Sequence, residues 1–176
     1  SATFVFEQTL VDGDPIVSIT ASSVQLVLGN GSTNLLTVSG GAINLTINAQ
    51  GVVGSFGGTV TSNVPGVTFA GSFTVQLDTR IPSNRYVRVT GTGVSLVAAG
   101  QTLSGDFMIE QTTTANNQQV VGVAFDNLTL TLGDGTNNYV SVTQGEGYFL
   151  LTPLGVAGSA SASVSLTIPG VNVTGG

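Results

Sequence analysis

Apolar and polar residues alternate along almost the whole chain, in runs broken by short turn phrases. Alternation with period two is the mark of a half-buried β-strand. Ala2–Leu10 sets Phe4 and Phe6 on one face and Val5 and Glu7 on the other. Val11–Pro15, V-D-G-D-P, reads as a turn in which Asp-Gly supplies a positive-φ position and Pro15 blocks continuation of a helix or strand. In Ile16–Leu28 the apolar parity changes in mid-run: Val17 and Ile19 lie on one parity, Val24, Leu26 and Leu28 on the other. Such a strand must kink, bulge or turn a corner across Thr20–Ser23. Leu35–Ile47 changes parity at Gly40-Gly41, and Tyr86–Ala98 does so around Gly91–Gly93. No window carries a helical apolar face, and glycine is too frequent for helix.

The pattern repeats. Asn127–Tyr139, N-L-T-L-T-L-G-D-G-T-N-N-Y, restates Ser23–Leu35, with Leu128 in the place of Val24 and 128 − 24 giving a spacing of 104. Gly155–Val171 matches Gly51–Val67 at the same spacing, and F-M-I-E-Q-T at Phe107–Thr112 answers F-V-F-E-Q-T at Phe4–Thr9, with 107 − 4 giving 103. A weaker half-period joins the phrases at Leu35, Tyr86 and Tyr139, which are 51 and 53 apart. Residues 1–176 therefore read as a single repeat-built β domain: 176 residues over a repeat of 104, with segments 1–67 and 104–171 related. It starts and ends within a repeat, and it opens on Ser1 rather than Met, which reads as a segment of something longer.

Turns rich in Asn-Gly, Asp-Gly and Pro-Gly favour antiparallel neighbours, because a parallel crossover needs many more residues. The fold class expected is all-β: a long antiparallel β-meander of kinked strands rolled into an elongated sandwich or roll. The alternative is a parallel β-solenoid whose glycine-rich midpoints are corners. In both, a terminal unit leaves a sheet edge open. The chain has no Lys to guard such an edge, so end-to-end self-association, or pairing with neighbouring repeats of the same chain, is expected.

Composition narrows the function. Three basic residues against nine acidic give a net charge of −6, which excludes a phosphate-neutralising surface and so nucleic acid as a partner. Charged residues are only 7% of the chain, while hydrophobics are 41% and mean hydropathy is +0.41, so there is apolar surface to bury. The absence of Cys, His and Lys removes the thiol nucleophile, the commonest general base and the Schiff-base amine. An enzyme is not expected. No apolar run is long enough for a membrane span.

Some residues remain as candidates. Asp12, Asp14 and Asp134 are oxygen donors for Ca²⁺, although none fits EF-hand or nonapeptide-repeat spacing and Asp-Gly is also plain turn chemistry. The position matching Asp134 in the first copy is Asn30. Glu7 and Glu110 occupy one repeat position and read as outward residues opposite the Phe face. Asn30, Asn44, Asn127 and Asn172 begin Asn-x-Ser/Thr triplets, which act as glycan acceptors only in a secretory setting. A flat Thr array of the ice-binding kind at Thr129 and Thr131 does not persist, since the first copy has Gln25 and Val27 there.

The phrases G-V-S-L-V-A-A-G-Q-T-L-S-G-D-F-M-I-E-Q-T (93–112) and L-T-L-G-D-G-T-N-N-Y-V-S-V-T (130–143) carry a resemblance. They resemble the roughly hundred-residue β-strand repeats found in tandem in very large secreted bacterial proteins, often labelled adhesin-like or haemolysin-like. The resemblance implies an extracellular or cell-surface, elongated, non-catalytic array with a structural spacer or adhesive role. Calcium-binding repeats of another kind sometimes accompany such arrays; their nonapeptide pattern is missing here. A different class, a carbohydrate-binding β-sandwich module for surface glycans, needs exposed aromatics to stack on sugars. The chain has no Trp and offers Tyr86 and Tyr139 at one repeat position, with Tyr148 apart.

Overall fold

The computed structural model describes residues 1–29, 32–114, 116 and 118–167, with only the backbone at position 63. Among the described residues ten strands follow in chain order: β1 (Thr3–Val11), β2 (Asp14–Gly29), β3 (Asn34–Asn48), β4 (Gly51–Val64), β5 (Val67–Asp78), β6 (Tyr86–Ala98), β7 (Gln101–Thr113), β8 (Gln119–Gly133), β9 (Asn138–Thr152) and β10 (Gly155–Leu166). A single 3-10 turn, Pro82–Asn84, lies between β5 and β6. Each strand pairs antiparallel with its chain neighbours, in one sheet of order β1 to β10. This is the meander that the short turns require. Among the described residues the sheet is open and one layer thick, with no second sheet packed on it. Pro15, read as a strand stop, is instead the second residue of β2 and faces Leu10 of β1. Proline is tolerated there because it sits at the very start of the strand.

The parity changes resolve into β-bulges. On β2, Ala21 faces Ile43 while Val24 faces Gly41, so three steps on β2 match two on β3. The extra residue lets Val17, Ile19 and Ala21 and then Val24, Leu26 and Leu28 stay on one face although their sequence parity has changed. The same three-against-two count recurs on β3 (Ser39 to Ala42), β6 (Gly91 to Val94), β8 (Phe125 to Leu128) and β9 (Thr143 to Glu146). One residue in each bulged strand takes a positive φ: Ser23 (53°), Gly40 (61°), Gly93 (58°), Asn127 (54°) and Gln144 (52°). Asn127 lies 127 − 23 = 104 residues after Ser23, and Gln144 lies 144 − 40 = 104 after Gly40.

Residues that face each other across neighbouring strands share a face. The partners of Phe56 are Ile43 and Val75, and the row runs on through Val89, Ile109 and Val123. That face is apolar from edge to edge. The opposite face carries Asn44, Ser55, Gln76, Arg88 and Glu110 in one row. A lone sheet has nothing to bury its apolar face against. Ala21, at 5% exposure, is the one buried hydrophobic side chain among the described residues. The accessible surface is 11063 Å², against about 7,900 Å² for a compact monomer of this mass.

Candidate functional site: two open edges on an apolar-faced sheet

The outer strands define the most distinctive surface. Every residue of β1 and of β10 is exposed. Among the described residues each hydrogen-bonds a neighbour strand on one side only, so its other side presents unpaired backbone groups, a template for a further strand. β10, G-V-A-G-S-A-S-A-S-V-S-L, carries no charge at all, and β1 carries only Glu7. The apolar face reaches both edges: Phe4 and Phe6 stack at 6.2 Å on β1 with exposures of 54% and 68%, and Val156 on β10 is 68% exposed. Further in, Phe73 meets Phe69 and Phe107, each at 5.8 Å.

Glycines on this face make room for large neighbours. A Cβ on Gly91 would lie 2.5 Å from the Phe107 ring, and one on Gly147 would lie 2.5 Å from the Phe125 ring. The rings lie across the facing strands and cover the backbone there.

Side-chain clamps hold the sheet, on the polar face except at Gln101, which shares the strand parity of Phe107 and Ile109. Asp106 on β7 ties the bulges of both neighbouring strands. Its Oδ1 accepts from the Gly93 amide at 2.7 Å and its Oδ2 from Asn127 Nδ2 at 3.1 Å. These donors, the Gly93 amide first, hold its carboxyl below the ordinary value. Gln101 brackets the backbone at Gly133, donating to its carbonyl and accepting from its amide, each at 2.6 Å. Arg88 pairs with Glu110 at 2.5 Å, and its guanidinium sits 5.5 Å over the Tyr86 ring. Asp78 takes a two-pronged contact from Arg80, which lowers its pKa to about 2. The signal for the Arg88–Glu110 pair was present as two opposite charges, but only the strand register puts them face to face.

The Ca²⁺ candidates do not come together. Asp12 is in the β1–β2 turn and Asp14 opens β2, at the sheet end shared with the β3–β4 and β9–β10 turns. Asp134 is in the β8–β9 turn at the opposite end, about 40 Å away along the strands. Asp12 (φ 53°) and Gly13 (φ 91°) form a two-residue hairpin turn with both central residues at positive φ. The Asp134 carboxylate accepts from the Thr136 and Asn137 amides at 2.8 and 2.7 Å and from the Tyr139 hydroxyl. The Tyr139 hydroxyl foremost, then these amides, holds its pKa well below the ordinary range. Among the described residues, no group of three or more His, Cys, Asp or Glu is arranged to hold a metal ion. Asn30, its counterpart in the first copy, and the Asn172 triplet lie outside the described residues.

Glu7 and Glu110 both lie on the polar face, on strands six apart in the sheet, so they cannot act as a pair. Of the tyrosines, Tyr86 is covered by Arg88 and Tyr139 is tied to Asp134. Tyr148 is 48% exposed, beside Asp126, Glu146 and Ser161 in an open depression. No helix among the described residues is long and apolar enough to cross a membrane. Comparison with protein-family models, with curated proteins and with solved structures finds no match.

Proposed function

We propose that the chain is a non-catalytic repeat module of a large secreted or cell-surface protein, serving as a structural spacer with adhesive edges. The observation that carries this reading is that the described residues form a one-layer sheet, open at both sides and periodic across its width. β7 to β10 restate β1 to β4 in sequence and bulge placement, so the pattern has a six-strand period that further copies could extend. A sheet that adds strands sideways grows in one dimension, as solenoid arrays do. The lack of His, Cys and Lys supports a role without bond-making chemistry.

Joining further 104-residue repeats in tandem tests the reading. Six strands at a spacing of about 4.8 Å lengthen the particle by up to about 29 Å per repeat. Small-angle X-ray scattering of chains with one, two and three added repeats is expected to show the maximum dimension rising by a constant step of this size. A dimension that grows as in a compact globule, or beads joined by flexible linkers, overturns the module reading.

A further inference from the structure

The open edge of β1 has a specific complement. β1 and β7 are the same repeat position, with Phe4, Glu7, Gln8 and Thr9 answering Phe107, Glu110, Gln111 and Thr112. Their pairings on one side agree as well. Phe4 faces Ala21 and Glu7 faces Ser18 on β2, while Phe107 faces Phe125 and Glu110 faces Gly122 on β8. The shift from β2 to β8 is 125 − 21 = 104 in the first case and 122 − 18 = 104 in the second. The side of β1 left open is therefore the side on which β7 pairs with β6.

That β6–β7 interface is built from recognisable parts. Arg88 faces Glu110 and forms the ion pair; Gly91 faces Phe107 and lies under its ring. On β1 both receiving groups stand without these partners. Phe4 is 54% exposed, and among the described residues no cation pairs with Glu7. β6 runs toward the end that carries the β6–β7 turn and β1 runs away from it, so a β6-like strand added to β1 would be antiparallel, as in the interior.

We infer that the outer edge of β1 is a docking site for one extended strand of a further copy of this repeat, the strand corresponding to Tyr86–Ala98. Its arginine would meet Glu7 and its glycine would lie under Phe4. Backbone hydrogen bonds supply affinity in such strand addition, and alternate side chains supply register. The inference rests on the repeat-module reading and adds to it a rule for which strand goes on which edge.

The test uses the whole chain and a labelled peptide with the sequence of Tyr86–Ala98, read by fluorescence anisotropy and by amide hydrogen exchange. Binding with new protection confined to Thr3–Val11 is expected. A peptide carrying Arg88→Glu is expected to bind about fivefold more weakly, and a chain carrying Glu7→Arg is expected to recover it. The peptide change leaves the protein untouched, so it does not depend on how a variant folds. Absence of protection on β1, equal protection of β10, or indifference to Arg88→Glu overturns the assignment. Should that happen while tandem repeats still lengthen the particle by a constant step, the edge rule fails and the module reading stands.

Discussion

At the scale of single residues, backbone conformation and clamping carboxylates carry the weight. Three of the five bulge residues, Ser23, Asn127 and Gln144, take positive φ without being glycine. For a β-carbon residue this conformation costs about 1–2 kcal/mol, so Gln144→Gly is expected to raise stability by about 1 kcal/mol in chemical denaturation. Gly40 has open space where a Cβ would go and a φ of 61°, so Gly40→Ala should lower stability by a similar amount through the backbone alone. Equal stabilities for both variants and the parent would contradict the bulge geometry. The depressed carboxylates Asp78, Asp106 and Asp134 fix the sign of the acid response. Each stabilises the fold fully above the ordinary carboxylate range, about pH 4, and the effect is lost as pH falls through the folded value, about 2 for Asp78. The melting temperature is thus expected to hold down to about pH 4 and fall below it, more gently in Asp134→Asn. Because the Asp134 carboxylate already accepts several donors, melting in Ca²⁺ and in EDTA should coincide. An upward shift in Ca²⁺ that Asp134→Asn removes would contradict that expectation.

At the scale of strands, alternation placed nearly every element, because a half-buried strand leaves its period directly in the sequence. The parity changes marked where the strands bulge, but not which residue bulges. Of the midpoint glycines, Gly40 and Gly93 do serve as positive-φ bulge residues, whereas Gly91 lies on the apolar face and leaves room for the Phe107 ring. The contacts of Asp106 and Gln101 and the pairing of Arg88 with Glu110 could not be assigned from the sequence for another reason. Their partners lie on neighbouring strands, and register emerges only when the whole sheet is assembled. The ring-over-glycine contact is testable as a coupled pair. Phe107→Ala should cost about 2 kcal/mol, and Gly91→Ala about 1–2 kcal/mol by crowding the ring. In the Phe107→Ala background the Gly91→Ala penalty should shrink, since the ring it meets is gone. Additive penalties would place Phe107 elsewhere than over Gly91.

At the scale of the whole molecule, the surface exceeds that of a compact monomer of this mass by about 3,000 Å², which falls in the range of obligate interfaces. Among the described residues the excess has two sources, an apolar face with no layer over it and two open edges. Neither edge carries the lysine, proline or short length that ordinarily blunts pairing. The most direct measurement is mass against concentration, by light scattering on the purified chain. The open-edged sheet predicts a weight-average mass above 17.6 kDa that rises as the protein is concentrated and falls again on dilution. A single species of 17.6 kDa at every concentration would contradict it.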